Sequence, residues 1–259
     1  MSARDDLGAE LPLAGPPRRV VSLVPSLTET VAVSAPGLLV GATDYCTHPA
    51  SLSVSRVGGS KYPSVDAVLA LSPDLVLANA EENRPEDVGA LRAAGVPVWV
   101  TFPRTLDEAF VSLDRMLSVL GVDPPAWLVQ ARRAWDRPPE YALRVAVPVW
   151  RRPWIVLGGR TFAGDLLARL GLANVYQDST DRYPRPALAD IPTCDLVVLP
   201  DEPYPFSAAD GPEAFGGRPC AVVSGRHLTW YGPSLAEARD VLREQLAQAA
   251  WVRSGKQPG

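Results

Sequence analysis

The sequence predicts an α/β protein of two similar three-layer lobes, each with a parallel sheet, joined by a single bridging helix. Three observations predict it. The chain repeats itself: Ser72-Pro73-Asp74-Leu75-Val76-Leu77 runs into Glu81-Glu82, and Thr193-Cys194-Asp195-Leu196-Val197-Val198 runs into Asp201-Glu202. Glu81 and Glu202 each stand seven positions after the aspartate that opens the strand. A proline-led strand follows each copy, Pro97-Val98-Trp99-Val100 and Pro219-Cys220-Ala221-Val222-Val223. Finally, the strands are short, apolar and β-branched, as parallel strands buried on both faces are. Each repeat reads as buried strand, acidic loop, helix, buried strand, and a ligand is expected between the two lobes.

The elements follow in order. Residues 1–17 read as a flexible tail, 18–105 as the N-terminal lobe, 106–140 as linking helices that include the bridge, and 141–259 as the C-terminal lobe. Arg19 to Val24 is a buried strand, and Pro25-Ser26-Leu27-Thr28-Glu29 offers Ser26 and Glu29 as a capping box for the next helix. That helix start presents free N–H groups at a strand's C-terminal edge, where ligands bind. Leu38 to Ala42 is a second strand, and Ser64 starts a helix over 65–71. Helical spacing covers 106–120, and a proline-bounded helix at about 126–136 is the bridge. Leu143 to Val149 and Ile155 to Leu157 read as strands, 162–170 as a helix, and 234–251 as a closing amphipathic helix.

Composition narrows the function. The 259 residues are 47% hydrophobic and 21% charged, enough to bury a sizeable core. A net charge of −4 lacks the basic footprint of a nucleic-acid binder. The 27 prolines stiffen loops, which suits a preformed site. Three cysteines, at 46, 194 and 220, form no CxxC and no disulfide framework. The segment from Met1 to Asp6 has neither an apolar core nor a lipobox cysteine, so the sequence as written reads as cytoplasmic; a start lying upstream would make it extracytoplasmic. No apolar run is long enough for membrane insertion, and a monomer is expected.

Several motifs together resemble the class III periplasmic-binding-protein family, the helical-backbone metal receptors. In the first lobe they are Val-Ser-Leu-Val-Pro-Ser-Leu-Thr-Glu-Thr at 21–30, Val-Gly-Gly-Ser-Lys at 57–61 and Leu-Ser-Pro-Asp-Leu-Val at 71–76. In the second they are Gly-Gly-Arg-Thr-Phe at 158–162, Tyr183-Pro184, Leu-Pro-Asp-Glu-Pro-Tyr-Pro-Phe at 199–206 and His-Leu-Thr-Trp-Tyr-Gly-Pro at 227–233. The chain is most similar to the cobalamin-binding members that feed importers of the ATP-binding-cassette type; other branches bind iron siderophores or haem. The resemblance implies lobes that move little on binding, a bridging helix that is abbreviated here, and an acidic docking residue on each lobe for the importer permease. Asp66 matches the first docking position, and Ala189 or Asp190 the second.

A cobalamin-sized ligand needs wide aromatic walls with a few orienting polar groups. Tyr45, Trp150, Trp154, Tyr183, Tyr204, Phe206, Trp230 and Tyr231 fall in loops at predicted strand ends, whereas Trp99 and Trp135 fit a strand and the bridge as structural residues. Ser26, Lys61, Glu81, Glu82, Arg84, Arg104, Arg151 and Arg160 are candidates to hydrogen-bond amides or pair with carboxylates; the alternative is ion pairing across the lobe interface. Glu202 gains weight from its symmetry with Glu81. His48 and His227 fall in loops, one per lobe, as metal ligands or loop hydrogen-bonders, but with Cys46 they make no metal-site spacing. The glycine turns at 58–59 and 158–159 match no phosphate-binding motif and read as positive-φ turns. The expected function is non-catalytic binding of a metal chelate, cobalamin foremost, with no covalent cofactor. The alternatives are a siderophore or haem binder and a cytosolic sensor without transport. A hydrolase using Glu81 or Glu202 as base is a minority reading, since no nucleophile elbow or metal motif accompanies them.

Overall fold

A computed structural model describes residues 3–254, with side chains through residue 249. Residues 1–2 of the expected tail and 255–259 of the expected C-terminal lobe lie outside the described residues. The chain divides into two compact units. Unit 1 comprises residues to Pro103, then Asp107–Val129 and Tyr231–Pro233; unit 2 comprises Arg104–Leu106, Gln130–Trp230 and the chain from Ser234.

Unit 1 opens with β1 (Ala3–Arg4) and β2 (Glu10–Leu11), an antiparallel hairpin where a flexible tail was expected. Two aspartates hold it. Asp5 is buried, accepts the amides of Leu7 and Ala9, and pairs with Arg92 at 2.8 Å. Asp6 accepts the Phe102 amide at 2.8 Å and the Ser112 hydroxyl at 2.7 Å. Charged residues near a chain start read as solvated, and only their distant partners show otherwise.

The sheet of unit 1 is wholly parallel. Its members are β3 (Val20–Ser22), β4 (Leu39–Ala42), β5 (Ser55–Arg56), β6 (Leu75–Asn79) and β7 (Val98–Thr101), in the order β5-β4-β3-β6-β7. Helices α1 (Pro25–Ser34), α2 (Val65–Ala70) and α3 (Pro85–Ala93) form its crossovers. The core gathers Val21, Leu23, Val76, Ala78, Leu91 and Val100, all buried. The capping box is absent. Helix α1 begins at Pro25 with Val24 as N-cap and no side-chain cap, which places Ser26 inside the first turn. Proline at the first position has no N–H to satisfy, so the helix starts one residue earlier than the serine suggests. Ser64 does cap α2, accepting the Ala67 amide at 3.2 Å.

Helices α4 (Leu106–Val119) and α5 (Ala126–Trp135) come next, and the division between units falls inside α5, at Val129 and Gln130. Within unit 1 the Trp127 indole donates to Ser34 Oγ at 3.0 Å; within unit 2 the Trp135 indole donates to the Leu235 carbonyl at 3.0 Å.

Unit 2 repeats the plan with one insertion and several losses. Strands β8 (Leu143–Ala146), β11 (Leu172–Asn174), β12 (Leu196–Pro200) and β13 (Cys220–Val223) make a parallel sheet ordered β11-β8-β12-β13, matching β4-β3-β6-β7. The insertion is a separate antiparallel hairpin, β9 (Pro148–Trp150) with β10 (Ile155–Val156), placed before α6 (Phe162–Arg169). The expected strand at 143–149 is therefore two strands in two sheets, and 155–157 does not join the parallel one. The losses are an edge strand corresponding to β5 and the helices on either side of β12, replaced by 3-10 turns at Leu188–Asp190 and Pro212–Phe215. Helices α7 (Gly225–Thr229) and α8 (Leu235–Ser254) close the chain.

The sequence repeat has a plain physical meaning. Asp74 accepts the Arg18 and Arg19 amides at 2.9 Å each, and Asp195 accepts the Arg144 amide at 2.9 Å. Each aspartate ties the start of one central strand to its neighbour. Among the described residues no helix is long and apolar enough to cross a membrane.

Candidate ligand-binding site

In a parallel sheet all C-terminal strand ends share one edge, and the loops leaving that edge are where ligands bind. The candidate residues follow those ends: Tyr45 and His48 after β4, Glu81 and Glu82 after β6, Trp150 to Trp154 after β8, Glu202 and Tyr204 after β12, and His227 and Trp230 after β13.

In unit 1 the turn after β6 is set by two asparagines. Asn79 Oδ1 accepts the amides of Glu81 (2.7 Å) and Glu82 (3.2 Å), while Asn83 Oδ1 accepts the Asn79 amide at 2.8 Å. Asn83 Nδ2 donates to the carbonyls of Ser60 (2.9 Å) and Leu23 (3.3 Å). Both glutamates are thereby held half-buried at the strand edge. Lys61, exposed, donates to the Glu81 carbonyl at 3.0 Å. Sequence reasoning missed these asparagines; the signal was a pair spaced four apart, the first ending a buried strand.

Two unit 1 candidates are not surface residues. Ser26 is buried in the first turn of α1. Tyr231 is 5% exposed, with its hydroxyl 2.6 Å from Asn79 Nδ2 and 2.7 Å from Thr101 Oγ1. Burial holds that phenol well above its ordinary range. Tyr231 is a core anchor, not a wall. Conversely Tyr62, not singled out as an aromatic wall, is 70% exposed with the Arg84 guanidinium 4.6 Å above its ring. Tyr45 is 68% exposed, beside the buried Cys46, whose thiol burial pushes up.

In unit 2 the β9–β10 hairpin carries an aromatic cluster. Trp150, 41% exposed, meets Tyr204 edge-on at 5.7 Å between ring centroids. Trp154 stacks on Phe206 at 6.2 Å and meets Phe215 edge-on at 5.3 Å. Phe206, 2% exposed, belongs to the core of unit 2 and is corrected from wall to foundation. Arg151 is corrected too. Its guanidinium pairs with Asp210 and, at 2.5 Å, with Glu213, and lies 5.5 Å from the Trp154 ring centroid, so it clamps the hairpin. The Gly211 amide first, and Arg151 second, hold the Glu213 carboxyl below its usual range. Tyr204 completes the clamp, donating to Asp210 at 2.7 Å.

Arg104, Arg160 and Tyr183 are exposed. Arg160 and Arg152 adopt positive φ, 53° and 69°, an uncommon backbone for a non-glycine residue. The 158–159 glycines do not: a Cβ on Gly158 would stand 2.2 Å from the Asp181 carbonyl oxygen, and one on Gly159 2.3 Å from that of Gln177. They permit close backbone approach rather than an unusual φ, which Gly58 alone of the two turns adopts, at 90°.

His227 lies on α7, not in a loop, with Nδ1 2.8 Å from Ser224 Oγ and Nε2 3.1 Å from Glu237 Oε1. Both ring nitrogens are engaged, which leaves no lone pair for a metal. His48 Nδ1 lies 3.2 Å from Thr47 Oγ1. Among the described residues no group of three His, Cys, Asp or Glu side chains is placed to hold a metal ion. A cavity of about 760 Å³ in unit 1 is lined by Arg4, Trp99, Asp114 and Arg115 among others, and by none of the candidate residues. Volume does not mark this site; the chemistry of the strand ends does.

No family model matches the chain. It is 26% identical over 186 residues to the vitamin B12-binding protein of Vibrio cholerae, covering 68% of this chain and 67% of that one. The solved periplasmic vitamin B12-binding protein of Vibrio cholerae superposes with a TM-score of 0.71 at 20% identity, over 91% of this chain and 98% of the other. A periplasmic haem-binding protein solved with two haems gives 0.72 at 26% identity, over 91% and 99%. The chain is thus similar, in sequence and in fold, to binding proteins of the class III periplasmic type. In this chain the duplicated parallel sheets put both sets of candidate loops at C-terminal strand edges, one set in each unit.

Proposed function

We propose that this protein is a non-catalytic substrate-binding protein for a large flat metal chelate, with a corrinoid as the favoured ligand. The observation that carries the reading is the placement of exposed rings. Among the described residues four aromatic side chains are exposed: Tyr45, Tyr62 and Tyr183 lie in segments that leave parallel strands β4, β5 and β11, and Trp150 ends β9 in the hairpin that follows β8. Flat aromatic rings with a polar tip suit the face of a flat ligand. The vitamin B12-binding relatives support the corrinoid. Haem is the second reading, favoured by the 26% identical haem-binding neighbour.

The half-buried Glu81 and Glu82 are acceptors suited to amide N–H groups, with which a corrinoid is rimmed. Delivery to an importer permease, from an extracytoplasmic location, extends the same reading, with exposed Asp66 and Asp190 as the docking acids. Calorimetric titration with cyanocobalamin, with haemin and a ferric siderophore as controls, tests the ligand. Micromolar or tighter cyanocobalamin binding, weakened by about tenfold or more in Trp150→Ala, is the expected result; a buried aromatic anchor carries at least that share. Binding of haemin alone would replace the corrinoid with haem. Silence with all three would sink the reading.

A further inference from the structure

Glu202 stands two residues beyond the end of β12, and unit 2 is shaped around it. Gly225, which opens α7, has no room for a side chain: a Cβ there would lie 2.3 Å from Glu202 Cγ and 2.7 Å from the Glu202 carbonyl oxygen. Glycine is what lets the carboxyl lie against the helix start. One carboxylate oxygen receives a hydrogen bond from the Trp230 side chain, whose indole N–H is a donor only. The other, Oε1, is buried with no hydrogen-bond partner. The charged groups around it are few. Asp201 is adjacent and accepts the Gly225 amide at 2.7 Å. Arg226 sets its guanidinium 5.7 Å from the Trp230 ring centroid and 3.4 Å from Glu237. His227 shares that Glu237 at 3.1 Å.

We propose that Glu202 is the positioning residue of Trp230: it fixes the plane of the indole at the ligand surface, and the strength of that hold depends on whether Glu202 carries a proton. For its consequence at the ligand the proposal rests on the binding reading above; for the hold itself it rests on unit 2 alone. A charged acceptor holds an N–H roughly twice as strongly as a neutral one. Deprotonated Glu202 therefore grips the indole but leaves a buried charged oxygen without a partner. Protonation relieves that oxygen and loosens the grip. Burial first, and the neighbouring Asp201 second, move the carboxyl above the ordinary glutamate range, while Arg226 and the Trp230 bond oppose them. The balance makes the indole sensitive to mild acid.

The test uses the full chain, with its indole nitrogens labelled with nitrogen-15 and the Trp230 resonance identified by its absence in Trp230→Phe. In the wild type that resonance moves downfield as pH rises from 4 to 8, with one midpoint above the ordinary glutamate value of about 4.3. In Glu202→Gln, whose amide oxygen still accepts the bond, the resonance persists and no longer moves. Cyanocobalamin affinity follows the same pH curve in the wild type and is flat in the variant. A wild-type resonance that ignores pH, or a variant that reproduces the wild-type curve, overturns the proposal. Should Glu202→Gln fail to fold, the wild-type titration decides alone. A titrating indole in a protein that binds neither cyanocobalamin nor haemin supports the hold and overturns the binding reading, so the two failures are distinct.

Discussion

Trp230 and Tyr231 are neighbours in the chain, both aromatic, and both follow β13, yet their fates are opposite. Tyr231 turns into unit 1 and satisfies its hydroxyl on Asn79 and Thr101, while Trp230 stays half-buried against Glu202. Nothing in the dipeptide separates them. The partners of Tyr231 lie 152 and 130 residues away, beyond the reach of local pattern. Glu202 was legible as a candidate from the repeat, but its partly orphaned carboxyl was not. The consequence for stability has a definite sign. Its folded pKa lies above the unfolded one, so between the two values the native state holds more protons than the unfolded chain. Wild-type stability therefore falls as pH rises through that window, and the full penalty stands above it. Glu202→Gln lacks this slope. Its urea midpoint relative to wild type is expected to rise between pH 4 and pH 8; an unchanged difference would show that the carboxyl is unstrained.

At the scale of elements, the central parallel strands were readable because a buried parallel strand has to be apolar on both faces, while the short edge strands β5 and β11, with exposed residues, were not read. The misses have physical causes. The helix between β12 and β13 shrank to a 3-10 turn, and the intervening segment supplies Asp210 and Glu213 to clamp Arg151. The β9–β10 hairpin was masked because Val147 and Pro148 continue the apolar run of β8 without a break. Glycine content alone does not reveal which turn is crowded. Gly225→Ala would drive a methyl into Glu202 backbone atoms at 2.7 and 2.8 Å, and backbone cannot move aside as a flexible side chain can. A loss of about 1–3 kcal/mol or more is expected. Gly89→Ala, in α3 with nothing within 4 Å of the new methyl, should instead stabilise by about 0.4–1 kcal/mol. Denaturant midpoints of the two variants should therefore move in opposite directions; movement in the same direction would refute the packing argument.

For the whole molecule, the proposed delivery to a permease is tested at two acids, one in each unit. Asp66 is exposed in the first turn of α2, and Asp190 is exposed in the 3-10 turn at Leu188–Asp190. Exposed acids contribute little to stability, which leaves them available for a basic partner. Replacing both by alanine is expected to leave melting temperature and chelate affinity within error. Stimulation of the importer permease's ATPase by the loaded protein should fall at least tenfold. Loss of chelate affinity in the double variant would place these acids in the binding surface instead.

The sequence by itself determined the duplicated α/β plan, seven of the nine parallel-sheet strands (all but β5 and β11), and the loops that carry the candidate chemistry. It could do so because these depend on local apolar runs and on a repeat visible within one chain. Only the tertiary structure decided which aromatics are exposed and which are foundations, that Arg151 is a clamp and His227 is engaged, and that residues 3–11 form a packed hairpin. Those outcomes depend on partners far away in sequence. A side chain's exposure and hydrogen bonds are properties of its neighbours in space, and one-dimensional pattern does not encode them residue by residue.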